Sequence, residues 1–340
     1  MIRFFCAFAS NAFERNGRAL SAFSFRPARI IMSMYNKRLL QGGFVNRPLL
    51  IVNPKAGLGL YQRHIPVVVN RLSAAGIVPA VYITQSAGDA KRIAKEKAEE
   101  YDAVICYGGD GTLNEVVSGV LESGTGRTIG YIPAGSTNDY AYSLKLPADI
   151  RKLSEILLTG KEQESDVGLF NERPFVYVAA FGAFTSIPYT TDQVAKNIFG
   201  HAAYIMEGVR TLMDISPVHM TVETDGERIE DDFIFGMISN SESVAGVHEL
   251  LPGAEVRLND GYFEMLLIRY PVTLTDWNEI LTCLSTKSTD DKHIYYRKVN
   301  DVTFRSPSES AWTLDGESGG AFLESRIVNR HAAFKIIVPD

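Results

Sequence analysis

From Pro48 onward, short apolar runs alternate with longer stretches whose apolar residues recur at helical spacing. Leu49 to Asn53 is a short apolar strand, and Tyr61 to Ala75 reads as a helix closed by Gly76. Val78 to Thr84 is the next strand, and a helix follows from about Asp89 to Glu100, with Ile93 and Ala94 set among charges. Ala103 to Tyr107 is a third strand, too apolar to be half exposed; it passes through Gly108 and Gly109 into a helix from about Thr112 to Leu121. Thr128 to Ile132 is a fourth strand, stopped by Pro133. Short apolar strands alternating with helices predict a parallel sheet covered on both faces.

The pattern changes after about Asp166. Phe175 to Phe181, Val218 to Thr224, Asp232 to Ser239, Tyr262 to Arg269, Val299 to Ser306 and Ala332 to Val338 all read as strands. Several alternate apolar with polar residues, as a sheet with one wet face does. Helices are expected near 200–214 and 275–286. The division is therefore an α/β domain over 48–163 and a β-rich, mainly antiparallel domain over 164–340, with the boundary between Gly160 and Asp166.

Charge adds a third part. Residues 1–47 hold eight Arg or Lys and one acid, Glu14, whereas the remainder carries a net charge of −13. The extension reads as disordered, as a transit-like or interfacial segment, or as sequence ahead of a start at Met32 or Met34, and it receives no catalytic role. An acidic body lacks the cationic footprint of general nucleic-acid binding. No run of about 18 apolar residues occurs, so no spanning helix is expected. Cys6, Cys106 and Cys283 are few and far apart, which gives neither a disulfide framework nor a zinc site and suits a reducing compartment. His64, His201, His219, His248, His293 and His331 are scattered without H-E-x-x-H or triad spacing. Tyr189, His201, Tyr204 and Met206 fall in an aromatic-rich region whose default role is packing, with a lipid-facing lining as the alternative.

The candidate chemistry lies in turns that follow the parallel strands. Gly108-Gly109-Asp110-Gly111-Thr112-Leu113-Asn114-Glu115 stands where strand three hands over to a helix. Glycines there let backbone approach phosphate oxygens, and a helix N-terminus adds N–H donors and partial positive charge. A plain strand-to-helix turn would need only two glycines and an Asp. Asn53-Pro54-Lys55-Ala56-Gly57 and Pro133-Ala134-Gly135-Ser136-Thr137-Asn138-Asp139 follow strands one and four in the same way. Three such turns at the carboxyl end of one sheet converge on one cleft.

Together Asn53-Pro54-x-x-Gly57, Gly108-Gly109-Asp110-Gly111-Thr112-x-Asn114-Glu115 and Gly135-Ser136-x-Asn138-Asp139 resemble the diacylglycerol kinase catalytic-domain family. The likeness is greatest to its bacterial soluble lipid kinases, with sphingosine and ceramide kinases as relatives, and it extends over about residues 48–340. Thr84 with Gly88-Asp89-Ala90 also fits, while Ser136 stands where relatives usually show threonine. The resemblance implies an NAD kinase/diacylglycerol kinase-like α/β domain with a parallel sheet, followed by a mainly antiparallel β-sandwich. It also implies ATP with Mg²⁺, and phosphoryl transfer to a hydroxyl of diacylglycerol or a similar lipid. Asn53, Pro54, Lys55, Ala56, Gly57, Thr84, Gly108, Gly109, Asp110, Gly111, Thr112, Leu113, Asn114 and Ser136 would form the ATP site, with Asp110 near the nucleotide's magnesium. Glu317 would accept the hydroxyl proton and Asp315 would be its close partner, although Asp315-Gly316 by itself is a common hairpin turn. A structural magnesium would be held by Asp260 and the carbonyls of Arg257 and Tyr262, a donor set that suits a hard cation.

A cytoplasmic enzyme meeting its lipid peripherally at a membrane surface is the resulting expectation, and a strand edge could support a homodimer. No Walker-type G-x-x-x-x-G-K-[ST], H-R-D or D-F-G sequence is present, so P-loop and protein-kinase schemes do not apply. Two other readings use the same residues: an NAD kinase on this scaffold, and a nucleotide-binding regulator without catalysis. The retained acids Asp110, Asp260, Asp315 and Glu317 weigh against the regulator.

Overall fold

Pro48–Val52 (β1) and Ala103–Gly108 (β3) are buried along their whole length, as strands covered on both faces must be. The computed structural model describes residues 45–57, 59–182, 216–244, 247–248, 256–286 and 292–340. The N-terminal extension up to residue 44, the helix expected near 200–214, and Tyr189, His201, Tyr204 and Met206 lie outside the described residues.

β1 pairs in parallel with Ala80–Ile83 (β2) and with β3, and β3 pairs in parallel with Thr128–Pro133 (β4). Alternate residues feed two cores. Leu50, Val52 and Ile105 pack with Val68 and Leu72 of helix α1 (Tyr61–Ala74) on one face. Leu49, Ile51, Val104 and Cys106 pack on the other with Ile93 and Ala94 of α2 (Asp89–Lys97) and Leu113, Val116 and Val117 of α3 (Asp110–Ser123). Two further helices, α4 (Asp139–Ser143) and α5 (Ile150–Thr159), follow β4, and the Asp149 carboxylate caps α5 by accepting from the Arg151 and Lys152 amides. Neither helix is among the elements expected from the sequence pattern.

The second half is antiparallel and contains β5 (Lys161–Phe170), β6 (Arg173–Phe175), β7 (Val178–Gly182), β8 (Val218–Thr224) and β9 (Glu227–Ser239). A small ladder of β10 (Ser243–Val244) with β11 (Val247–His248) follows. β12 (Phe263–Arg269), helix α6 (Leu274–Thr286), β13 (Ile294–Val299), β14 (Asp301–Leu314) and β15 (Glu317–Val338) complete it. An aromatic core lies under these strands, with Trp312 placed 4.9 to 5.1 Å, centroid to centroid, from Phe170, Phe181 and Phe304.

Among the described residues, hydrogen bonding joins both halves into one sheet of thirteen strands. The join is β15, which pairs antiparallel with β14 from Leu314↔Glu317, then lies antiparallel to β5 and meets β4 in parallel at Ile336↔Ile129. β15 runs 22 residues, of which the sequence pattern marks only the apolar end. β5 escapes that pattern because its first four residues, Lys161 to Glu164, are polar and at least partly exposed.

Candidate active site

The turns that leave β1, β2, β3 and β4 bound a cleft of about 380 Å³ at the carboxyl end of the parallel sheet. Its lining takes Asn53 to Gly57 from the first turn and Thr84 to Ala87, with Ala90, from the second. Gly109, Gly111, Thr112 and Glu115 come from the third, Gly135 and Ser136 from the fourth, and Glu317 from the antiparallel half.

Close backbone approach holds the turns together. A β-carbon on Gly135 would stand 2.7 Å from the Gly109 Cα, and one on Gly57 would stand 2.2 Å from the Ala134 carbonyl oxygen. Gly57 also has φ +56°, so glycine is required there on both grounds. The Asn53 side chain accepts from the Lys55 amide at 3.0 Å and donates to Thr112 Oγ1 at 2.9 Å, which ties the first turn to α3. Asn138 adopts φ 53°, accepts from the Gly135 amide at 2.7 Å and donates to its carbonyl at 2.9 Å, leaving Ser136 exposed at the crest.

The third turn presents backbone to the cleft and turns its larger side chains away. Gly109 caps α3 in an extended conformation and, being glycine, supplies no side-chain cap to the first N–H groups of the helix. The N–H groups of the first turn thus form an uncapped positive pole suited to an anion. Leu113 is fully buried in the core, and Asn114 accepts from the Ser118 hydroxyl at 3.2 Å. Asp110 points beneath the cleft, where it accepts from the Tyr131 hydroxyl and from the Asp139 and Tyr140 amides at 3.0 to 3.3 Å. Burial, reinforced by the Asp139 carboxyl, pushes its pKa up to about 6. Gly108, Asp110, Leu113 and Asn114 therefore shape the cleft from behind and do not line it.

Asp315 lies within a tight turn, Glu317 follows it directly, and the two differ in role. Asp315 and Gly316 have φ 49° and 84° between the paired residues Leu314 and Glu317, a two-residue hairpin that Asp-Gly favours. Asp315 is buried and accepts from the amides of Val176, Tyr177 and Val178 at 2.7 to 3.0 Å. Burial pushes its carboxyl up to about 7 against the pull of those amides. It anchors the hairpin to the segment entering β7. Glu317, the exposed member, projects into the cleft, with Oε1 3.2 Å from where a β-carbon on Gly111 would stand.

Arg257, Asp260 and Tyr262 do not line this cleft. Asp260 Oδ1 accepts from the Tyr262 amide at 3.0 Å and Oδ2 accepts from Lys298 Nζ at 2.8 Å. Both carboxylate oxygens are engaged, and the Lys298 ammonium already supplies a positive charge at the position where a cation is expected. The neighbouring Gly261 amide donates to Asp166, a buried carboxylate that also accepts from His331 and the Ala332 amide.

Gln85, Ser86 and Ala87 line the cleft without a sequence signal that would have marked them. Glu115 lies inside the glycine octapeptide, yet spacing alone does not show that its side chain turns to the cleft wall.

A cleft at the carboxyl ends of parallel strands, floored by glycine turns and an open helix pole and overhung by the Glu317 carboxylate, has the make-up of a site that accepts an anionic group. The family profile of the diacylglycerol kinase catalytic domain matches residues 47–170. A diacylglycerol kinase of Staphylococcus carnosus strain TM300 is 33% identical over 296 residues, 86% of this chain and 95% of the relative. One of Bacillus subtilis strain 168 is 32% identical over 298 residues, covering 87% and 97%. A crystal structure of a diacylglycerol kinase from Bacillus anthracis strain Sterne shares the fold, with TM-score 0.69 at 22% identity over 86% of this chain and 97% of its own. The chain belongs to the diacylglycerol kinase catalytic-domain family. It is an enzyme, a kinase that transfers phosphate to an alcohol group.

Proposed function

We propose that the protein phosphorylates the free hydroxyl of diacylglycerol, or of a lipid with the same head, from ATP with Mg²⁺. The observation that carries this reading is the placement of Glu317, the exposed acid of the β14–β15 hairpin, directly over Gly111 in the phosphate-facing turn. The uncapped α3 terminus and the close-packed Gly109 and Gly135 backbones suit the terminal phosphates. Asn53, Lys55, Thr84 and Ser136 stand around them. An attacking hydroxyl entering beside Glu317 would lose its proton to that carboxylate as the O–P bond forms and the bond to the ADP oxygen breaks. Backbone amides of the Gly109 turn would take the charge spread over the transferred group. Magnesium bound with the nucleotide would neutralise its phosphate oxygens, and Asp110, buried beneath the turn and held by the Tyr131 hydroxyl and the Asp139 and Tyr140 amides, would act on it only through the turn that it supports.

Among the described residues no helix is long and apolar enough to cross a membrane. We read the protein as cytoplasmic, meeting its lipid at the membrane surface from the water side.

The test is phosphoryl transfer from ATP with Mg²⁺ to diacylglycerol in mixed micelles, with products resolved by mass. A phosphorylated lipid is the expected product. Phosphorylated NAD in its place would overturn the lipid reading, and nucleotide binding with no product would overturn the mechanism.

A further inference from the structure

The two acids of the glycine octapeptide each close a group of amides outside their own first turn. Glu115, one helical turn into α3, reaches across to the start of α2. Its Oε1 accepts from the Gly88 amide at 2.8 Å, and its Oε2 accepts from the Ala90 amide at 3.1 Å and more weakly from Lys91 at 3.4 Å. Gly88 caps α2 with φ 78° and has no side chain to do this itself. Asp89 does not substitute, because its carboxylate accepts from the Gln85 amide, Arg92 and Tyr82. Asp110 likewise holds the amides of Asp139 and Tyr140 at the start of α4. The α3 terminus, with no side-chain cap, is left open between them.

This pattern matters because both α2 and α3 begin at the cleft. Ala87 and Ala90 line it from one side and Gly109, Gly111 and Thr112 from the other, with Glu115 on the wall between. A polyphosphate entering the cleft would meet two positive poles of the same kind. Helix packing keeps these poles close: a β-carbon on Gly119 would collide with the Lys91 carbonyl oxygen at 2.3 Å, so α2 and α3 pack backbone against backbone there.

We propose that Glu115 is a positioning residue for the nucleotide: an internal anion that occupies the α2 pole, so that the phosphates have only the α3 pole to bind and lie in line with Glu317. The inference rests on the ATP-site reading above and adds to it the device that fixes the phosphate register.

Inorganic sulfate is the probe, because it reports the α2 pole without needing turnover. Its affinity is measured by calorimetry on the full chain, alone and with ATP present. In wild type, ATP at the α3 pole should displace sulfate. Glu115→Ala and the isosteric Glu115→Gln should bind sulfate about fivefold or more tightly, retain a sulfate site when ATP is bound, and raise the KM for ATP more than they lower kcat. Glu115→Asp keeps the charge and should stay closer to wild type. Sulfate affinity equal in wild type and both neutral variants overturns the proposal. Should Glu115→Ala fail to fold, Glu115→Gln decides alone. Failure of wild type to bind ATP would overturn the nucleotide reading, whereas a gain in sulfate binding by the variants would still uphold the plugged α2 pole.

Discussion

Glu317 Oε1 lies 3.2 Å from the point where a β-carbon on Gly111 would stand, which places an acid from the antiparallel half against the glycine turn that opens α3 in the parallel half. The two residues are 206 positions apart in sequence. Their contact depends on β14, β15 and the Asp315-Gly316 turn that holds Glu317 at the rim of the cleft.

Removing the carboxylate tests its role directly. Glu317→Gln preserves shape and exposure, so thermal stability should be unchanged within error. Turnover with lipid and ATP should fall by roughly 10²- to 10⁴-fold, the range expected for loss of a positioned general base. A wild-type rate would remove Glu317 from the mechanism.

Gly111→Ala separates stability from activity. Gly111 is in the first turn of α3, where alanine is the better helix former by about 1 kcal/mol. The added methyl pushes Glu317 aside by a few tenths of an ångström or more. Melting temperature should hold or rise by roughly 2 °C, while turnover drops by about tenfold or more. Equal turnover would mean that Glu317 has latitude the geometry does not suggest.

Gly135→Ala tests convergence of the turns. Its methyl would stand 2.7 Å from the Gly109 Cα and 2.9 Å from Asn138 Oδ1, so the third and fourth turns must part. Nucleotide affinity, read by titration calorimetry, should weaken by about tenfold with far-ultraviolet dichroism retained. Unchanged affinity would show that the phosphates do not use both turns.

Buried acids away from the cleft set the pH response. Glu264, on β12, is 1% exposed, and its Oε2 has no hydrogen-bond partner. Burial pushes its pKa up from 4.5 to about 7, opposed by Lys298. A raised carboxyl pKa means that the folded state holds a proton the unfolded chain has already released. Its stabilising contribution is complete below about pH 4.5 and is lost as pH rises through about 7. Asp110 and Asp315, raised to about 6 and about 7, act in the same direction. Glu264→Gln should therefore raise stability at pH 8 by about 2 kcal/mol and leave it nearly unchanged at pH 4.5. Melting curves at the two pH values check this, and an equal gain at both would assign the effect to packing.

Much of the parallel half was legible because its strands are short, wholly apolar and punctuated by glycine and proline at the helix junctions. Leu49 to Asn53 and Ala103 to Tyr107 have no other way to be buried, and Asn53-Pro54-x-x-Gly57 with the glycine octapeptide placed the turns. The antiparallel half was less legible. β5 begins with Lys161, Glu162, Gln163 and Glu164, and β15 carries polar residues through most of its length, since their partners and not their side chains hold them in the sheet.

The sequence by itself determined which residue types the turns around the cleft carry: glycines where backbone must approach backbone, and acids at Asp110, Glu115, Asp315 and Glu317. Only the tertiary structure decided what each acid does, because that depends on which donors long-range packing brings to it. Asp315 meets three amides of the 176–178 segment and becomes an anchor, while Glu317, two residues on and pointing the other way, meets none of them and faces the cleft. Glu115 finds the start of a helix some 25 residues earlier in the chain. The period of a strand or helix is local, but a carboxylate's environment is fixed by the whole fold, and that difference separates what could be read along the chain from what could not.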